Sequence, residues 1–313
     1  FIKTGKKKIN ELGKVFHFDL YGKREMKYDF LLENSISSID YKELPNVAPN
    51  YFFVPKGFDE QKNYNLGFAV NELFNLNGVG LTTAHDEFVI RENKFELLEF
   101  YKKFQSSPRN AEYLHKEFNV KKKEGWNILN GYDNIKNESD LTKYIHSISY
   151  RPFDNRYVFY EDKLVWRTVR KVMQHFLKGD NVGLVLEKIM TNKNKPFNDC
   201  FISKSIYDSH TIGSASYGFP LYLYPENNGQ QIIGQSTERV PNLNSEIVNQ
   251  IAEKLGLTFT NEKETTENTF APIDILDYIY AVLHSPTYRE KYKEFLKIDF
   301  PRVPYPKDKD TFW

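Results

Sequence analysis

Apolar and polar positions are organised around the stretch from residue 144 to 224, whose centre reads Ser147-Ile-Ser-Tyr-Arg-Pro-Phe-Asp-Asn-Arg-Tyr-Val-Phe-Tyr160. Apolar and aromatic residues flank Pro152-Phe-Asp-Asn155 on both sides. Proline presets φ, and Asp and Asn side chains bond their own backbone, so the pattern predicts a β-hairpin turning at that tetrapeptide. The period then changes. Val169, Val172, Met173, Phe176 and Leu177 recur at helical spacing, leaving Arg167, Arg170, Lys171, Gln174 and Lys178 on the other side and Gly179 as a C-terminal cap. This predicts an amphipathic helix over 167–177 with a basic exposed face. Short strands are expected over 182–186 and 199–202, then a Gly/Ser-rich turn over 213–218. Phe219-Pro-Leu-Tyr-Leu-Tyr-Pro225 reads as an aromatic strand, short or peripheral because of its prolines.

Toward the N-terminus, residues 1–3 and 14–21 read as the strands of a hairpin and 23–32 as a short charged helix. The two prolines of Leu44-Pro-Asn-Val-Ala-Pro49 interrupt regular structure and mark a boundary. Tyr51-Phe-Phe-Val54 reads as a strand, 67–74 as a helix, Asn77-Gly-Val-Gly80 as a turn, and 81–90 as a loop running into a strand. Helices are expected over 95–104 and 110–118. In the C-terminal part 226–237 reads as a polar loop and 261–268 as charged and loose. Helices are expected over 244–255, capped by Gly256, over 272–284, and over 288–296, capped by Ser285-Pro-Thr287. Phe300-Pro-Arg-Val-Pro-Tyr-Pro306 is expected to end regular structure.

Composition narrows the class. With 313 residues, 40% hydrophobic and 27% charged, the chain can bury a sizeable core in two lobes, and no apolar run approaches the roughly 20 residues of a membrane span. The 16% aromatic content serves cores first, although such rings can also stack on bases or sugars. One cysteine, Cys200, excludes an intrachain disulfide and a multi-thiolate zinc site and points to a reducing cytoplasm. The seven histidines include no pair at the spacing of a helical metal site. The start, Phe1-Ile-Lys-Thr-Gly, has no signal-peptide pattern and reads as a chain entered in mid-domain. Charge is unevenly spread: from 163 to 204 nine Lys or Arg face three acids, a net of +6 in a chain of net +1. A concentrated positive field on a neutral protein is the footprint of a polyanion site.

Candidate residues follow from this. Arg151 and Arg156 bracket the hairpin turn and Asn155 lies within it, a set suited to reading base edges. The alternative is that Asp154 pairs with either arginine and merely closes the turn. Arg167, Arg170, Lys171, Lys188, Lys193 and Lys195 suit phosphate contacts. Thr83 and His85, in the polar cluster Thr82-Thr-Ala-His-Asp86, suit either capping or a ligand. Lys121-Lys-Lys123 reads as a solvated corner. Catalytic patterns are missing: no Pro-Pro-Tyr type turn of an amino-methyltransferase, no phosphate-cradling loop, no nucleophile elbow.

Five ordered blocks carry a family resemblance: His17-Phe-Asp-Leu-Tyr-Gly-Lys-Arg24 with Tyr28-Asp-Phe-Leu31, Tyr51-Phe-Phe-Val-Pro55, His146-Ser-Ile-Ser-Tyr-Arg-Pro-Phe-Asp-Asn-Arg156, Phe219-Pro-Leu-Tyr-Leu-Tyr-Pro225, and Tyr278-Ile-Tyr-Ala-Val-Leu-His-Ser-Pro-Thr-Tyr-Arg289. Together they resemble the C-terminal part of Type ISP restriction-modification enzymes, single polypeptides joining nuclease, translocase, coupler, adenine N6-methyltransferase and target recognition domain. The resemblance implies an α+β fold: an antiparallel-sheet target recognition domain with a helical C-terminal part, preceded by the last strand pair of a methyltransferase sheet. Residues 1–44 would be the C-terminal edge of the methyltransferase-like domain. Residues 45–313 would be the recognition domain, with lobes 45–146 and 147–313. It implies double-stranded DNA and the methyltransferase domain of the same polypeptide as partners, and no membrane. No cofactor is expected in this chain; S-adenosylmethionine, Mg2+ and ATP are expected for the full-length enzyme. Two alternatives stand beside this reading: the specificity domain of a simpler methyltransferase-endonuclease without translocase, and a protein-interaction or carbohydrate-binding module using the aromatic surface.

Overall fold

The computed structural model describes residues 5, 11–48, 51–55, 57–58, 60–190, 192, 195–213, 215–225 and 238–313. It divides into two units, Phe1–Asp59 and Glu60–Trp313. In the first, Val15–His17 pairs antiparallel with Lys42–Leu44, and the expected charged helix forms as Arg24–Glu33. Phe18 stacks on Phe30 at 5.6 Å and meets Tyr41 edge-on at 6.3 Å, so aromatic contacts close this small unit. The strand expected over 1–3 lies outside the described residues. That expected over 51–54 does not form: Tyr51 has φ +44°, a left-handed backbone incompatible with an extended strand.

The second unit is mixed α and β, built around two four-stranded sheets. One has the order Ile206–Tyr207, Ile145–Arg151, Asp154–Phe159, Ile90–Arg91. Its middle is the expected hairpin, antiparallel with Ile148 opposite Arg156, and a register shift between Ser149 and Arg151 precedes the two-residue turn Pro152-Phe153. Ile148, Val158 and Phe159 turn inward, and Phe159 stacks on Tyr101 of the helix Lys94–Ser106 at 3.6 Å. That helix, with Ala111–Glu117 and Ile128–Ile135, covers the sheet. Asn93, Asn110 and Asn127 cap all three by accepting backbone N–H bonds, as Asn does when its short side chain turns back to the first turn.

The other sheet has the order Gly78–Val79, Ser216–Pro220, Gly183–Glu187, Cys200–Ser203. Every residue of Gly183–Glu187 is buried, because the sheet is a wall between two hydrophobic cores. Leu184 and Leu186 face one core, with Phe219 and the C-terminal helices; Val185 faces the other, with Phe176 and Tyr207. A strand covered on both faces needs an unbroken apolar run, and Val182-Gly-Leu-Val-Leu186 is one. At Gly218 a Cβ would come within 2.2 Å of the Tyr207 ring, so only glycine lets the two sheets approach here.

Several elements depart from the sequence pattern. The turn expected at Asn77-Gly-Val-Gly80 instead holds the edge strand Gly78–Val79, and a Cβ on Gly78 would meet Val172 at 2.8 Å. The turn expected over 213–218 gives way to the interior strand Ser216–Pro220, and the strand expected over 219–225 is short, its Tyr222–Leu223 pairing separately with Val240–Pro241. The helix expected over 167–177 shrinks to Arg170–Met173 and a 3-10 turn, Gln174–Phe176. The Arg167 backbone pairs instead with Thr82, and Val169 at φ +47° breaks the path into the helix. Of the helix expected over 67–74, Val70–Leu73 forms; Phe68–Ala69 is extended and pairs with Arg302–Val303, so the prolines over 300–306 do not end regular structure. After them Asp308 caps a last turn, Lys309–Phe312.

The C-terminal helices form as Ser245–Leu255, ended by left-handed Gly256, and Pro272–His284, where the Asp274 carboxylate accepts the Ala271 N–H at 2.8 Å. Ser285 caps Pro286–Lys291, which stops short of the expected 296 and continues as turns. The polar loop over 226–237 lies outside the described residues. No described helix is long and apolar enough to cross a membrane.

Candidate nucleic-acid interface

The hairpin end holds a connected polar and aromatic network. Tyr150 lies between two guanidinium groups: Arg151 is centred 3.9 Å from its ring and Arg156 4.3 Å. Its hydroxyl donates to Asp86 at 2.7 Å, and Asp86 also accepts from the Thr83 hydroxyl. Strand alternation alone would separate neighbours Tyr150 and Arg151, but the register shift at this point brings them to one surface.

The two arginines are held differently. Asp154 binds Arg156 through Nε and Nη2, at 3.0 and 2.8 Å, a pairing along one strand just after the turn. Those bonds hold the Asp154 carboxyl below its ordinary range. Arg151 does not pair with Asp154. Its Nη1 donates to Asp208 at 2.9 Å and to the Tyr150 carbonyl, while its Nε–Nη2 edge has no partner among the described residues. Asp208 is 3% exposed; burial pushes its carboxyl up, while the His210 N–H and Arg151 pull it back. The loop carrying Asp208 is laid on the hairpin by the Asp208 N–H and the Thr211 hydroxyl, both donating to the Ser149 carbonyl at 3.1 and 2.9 Å. The Ser149 hydroxyl meets those of Ser203 and Ser205 and donates to exposed Asn155 at 3.3 Å.

The structure thus brings Arg151, Asn155, Arg156 and Thr83 into one region, although Thr83 is buried and spent on Asp86. Arg167 joins through its backbone: its N–H and carbonyl pair with Thr82, whose hydroxyl donates to Ser209 beside Asp208. Its side chain is exposed, as is that of Lys171. Arg170 is engaged by Asp162 through Nε and Nη2 at 3.0 and 2.9 Å and lies over Tyr160. His85 packs against Trp126 with centroids 5.0 Å apart; burial, then Lys123 and His115, push its imidazole pKa down. Neither His85 Nε2 nor Trp126 Nε1 finds a hydrogen-bond partner among the described residues. Lys188 stands apart, 3.9 Å from Asp299 and over Phe300. Lys195 is exposed on the following loop, and Lys193 lies outside the described residues.

Sequence reasoning missed Tyr150 and Asp208, and placed Asp86 only within the polar cluster over 82–86. Tyr150 was readable only as a strand residue. Asp208 had one signal, the polar run Tyr207-Asp-Ser-His210 directly before a Gly/Ser-rich turn, but nothing in it indicates a partner 57 residues away.

No curated protein matches this sequence. Solved structures share its fold. A DrdV–DNA complex has a TM-score of 0.63 at 20% identity over 93% of this chain and 29% of that one. A nuclease-deletion mutant of the Type ISP restriction-modification enzyme LlaGI, in complex with a DNA substrate mimic, has a TM-score of 0.60 at 20% identity over 96% and 22%. The ATP-dependent Type ISP restriction-modification enzyme LlaBIII, bound to DNA, has a TM-score of 0.61 at 17% identity over 87% and 17%. The chain therefore spans less than a third of each. At such identity the likeness is one of fold, but the family model of the Type ISP C-terminal specificity domain matches residues 72–313, and the chain belongs to that family.

Proposed function

We propose that this chain is the double-stranded DNA recognition module of a Type ISP restriction-modification enzyme, directing adenine N6 methylation and cleavage by domains outside it. Membership of the specificity-domain family over residues 72–313 carries the reading. The DNA complexes of DrdV, LlaGI and LlaBIII, which share the fold, support it. So does the hairpin end, where Arg151 presents, on a held guanidinium, two donors side by side with no partner among the described residues. Such an edge matches O6 and N7 of guanine in the major groove. Arg167, Lys171 and Lys195 suit phosphates, which position the duplex without reading it.

In this reading residues 1–44 belong to the methyltransferase domain of the same polypeptide, 45–313 form the recognition domain, and the enzyme works in the cytoplasm. S-adenosylmethionine, Mg2+ and ATP belong to the outside domains. Among the described residues no three His, Cys, Asp or Glu side chains are grouped to hold a metal ion. Fluorescence anisotropy of the full-length protein with duplex DNA across a salt series tests the reading. Affinity should fall steeply as salt rises, because phosphate contacts release counterions. No binding, or binding indifferent to salt, would sink it in favour of a protein- or carbohydrate-binding module.

A further inference from the structure

Phe153 occupies the tip of the hairpin in a conformation that folding alone does not favour. Its side chain is 94% exposed, and its backbone sits at φ +61°, in the left-handed region where a bulky residue is strained. A turn chosen for stability would place Gly or Asn there. The tip is also held firmly. One flank is fixed by Arg151 on Asp208, the other by Arg156 on Asp154, and the strand behind it by the Ser149 hydroxyl cluster. The ring meets Phe201 in a T-shaped contact, with centroids 5.6 Å apart, so one contact steers it while it stays almost wholly exposed. An apolar ring thus projects from a rigid mount, bordered by the free guanidinium edge of Arg151 and the exposed Asn155.

We propose that Phe153 is a stacking wedge whose ring enters the base stack of the bound duplex beside the bases or phosphates that Arg151 and Asn155 contact. This rests on the DNA-recognition reading and adds the residue that deforms the DNA. An aromatic ring between base steps replaces part of the lost stacking with its own face, and a wedge already held in place loses little freedom on insertion. The bordering donors favour DNA over a protein partner. A base stack is edged by acceptors that these groups can meet, whereas an apolar protein surface would bury them unpaired.

The test uses the full-length protein and duplexes containing its methylation site, with 2-aminopurine placed at successive positions other than the methylated adenine. With the unsubstituted protein, fluorescence should rise at one step, where the wedge unstacks the probe. Phe153→Ala should abolish that rise and weaken binding about tenfold, and Phe153→Trp should restore both. Phe153→Gly should behave as Phe153→Ala in DNA binding while keeping the DNA-free melting temperature, since glycine accepts the left-handed backbone. No fluorescence rise at any step, or a rise and affinity that survive Phe153→Ala, would overturn the proposal. So would weakened binding with an unchanged rise and a lower DNA-free melting temperature, which would seat the ring on another part of the protein. Absence of salt-dependent DNA binding by the unsubstituted protein would instead remove the function on which the wedge rests.

Discussion

Arg151 and Arg156 share a neighbour, Tyr150, yet removing them should have different consequences. Arg156→Ala leaves Asp154 without its partner at a half-exposed turn, which should cost no more than about 1 kcal/mol. Arg151→Ala removes the Asp208 carboxylate's charged partner and leaves it the His210 N–H, which should cost about 1–3 kcal/mol. It should also relax preference at one base position in a methylation map, while Arg156→Ala leaves that map largely intact. Acid should rescue the stability of Arg151→Ala. Burial raises the folded pKa of Asp208, so its contribution is most favourable at low pH and is lost as pH rises through that pKa. Without Arg151 this loss deepens. Thermal melts should therefore show the Arg151→Ala deficit shrinking as pH falls through that raised pKa toward the ordinary carboxylate value of about 4, and levelling off below it. A deficit that is flat with pH would mean that Asp208 is not the group left stranded.

Among short elements, the segment from 167 to 177 changes the assignment of phosphate contacts. A continuous helix would present Arg167, Arg170 and Lys171 alike, but Arg170 is already engaged by Asp162 and Tyr160. Arg167→Ala and Lys171→Ala should each reduce the salt slope of DNA binding by roughly one unit, and Arg170→Ala by much less. Anisotropy titrations of the three variants decide this, and equal slopes would restore the single basic face. The segment also shows what local pattern could and could not reveal. The hairpin over 147–160 and the helix Pro272–His284 were legible because turn residues, capping residues and period all agree within one stretch of chain. The extended pairing of Arg167 with Thr82, and of Phe68–Ala69 with Arg302–Val303, depends on residues far apart in sequence and overrides a local helical period. The candidate site was legible in the same proportion. Arg151, Asn155 and Arg156 follow from a local turn, whereas Asp86 and Asp208 reach Tyr150 and Arg151 only through tertiary pairing.

At the scale of the second unit, the buried sheet separates two kinds of task. The hairpin over 145–159 packs on the core containing Ile148, Val158 and Phe159, whereas Leu283 and the C-terminal helices belong to the core on the other side of the wall. Residues that share no partner contribute nearly additively to stability. Leu283, fully buried, should lose about 2–5 kcal/mol on change to Ala through lost burial and the cavity left behind. That loss should appear in denaturant unfolding while the methylated sequence stays unchanged. Combined with Arg151→Ala, the two deficits should sum, because the wall strand Gly183–Glu187 presents Leu184 and Leu186 to one core and Val185 to the other without linking the groups at either site. A strongly non-additive double variant, or a shifted recognition sequence in Leu283→Ala alone, would show that the C-terminal helices help position the reading surface.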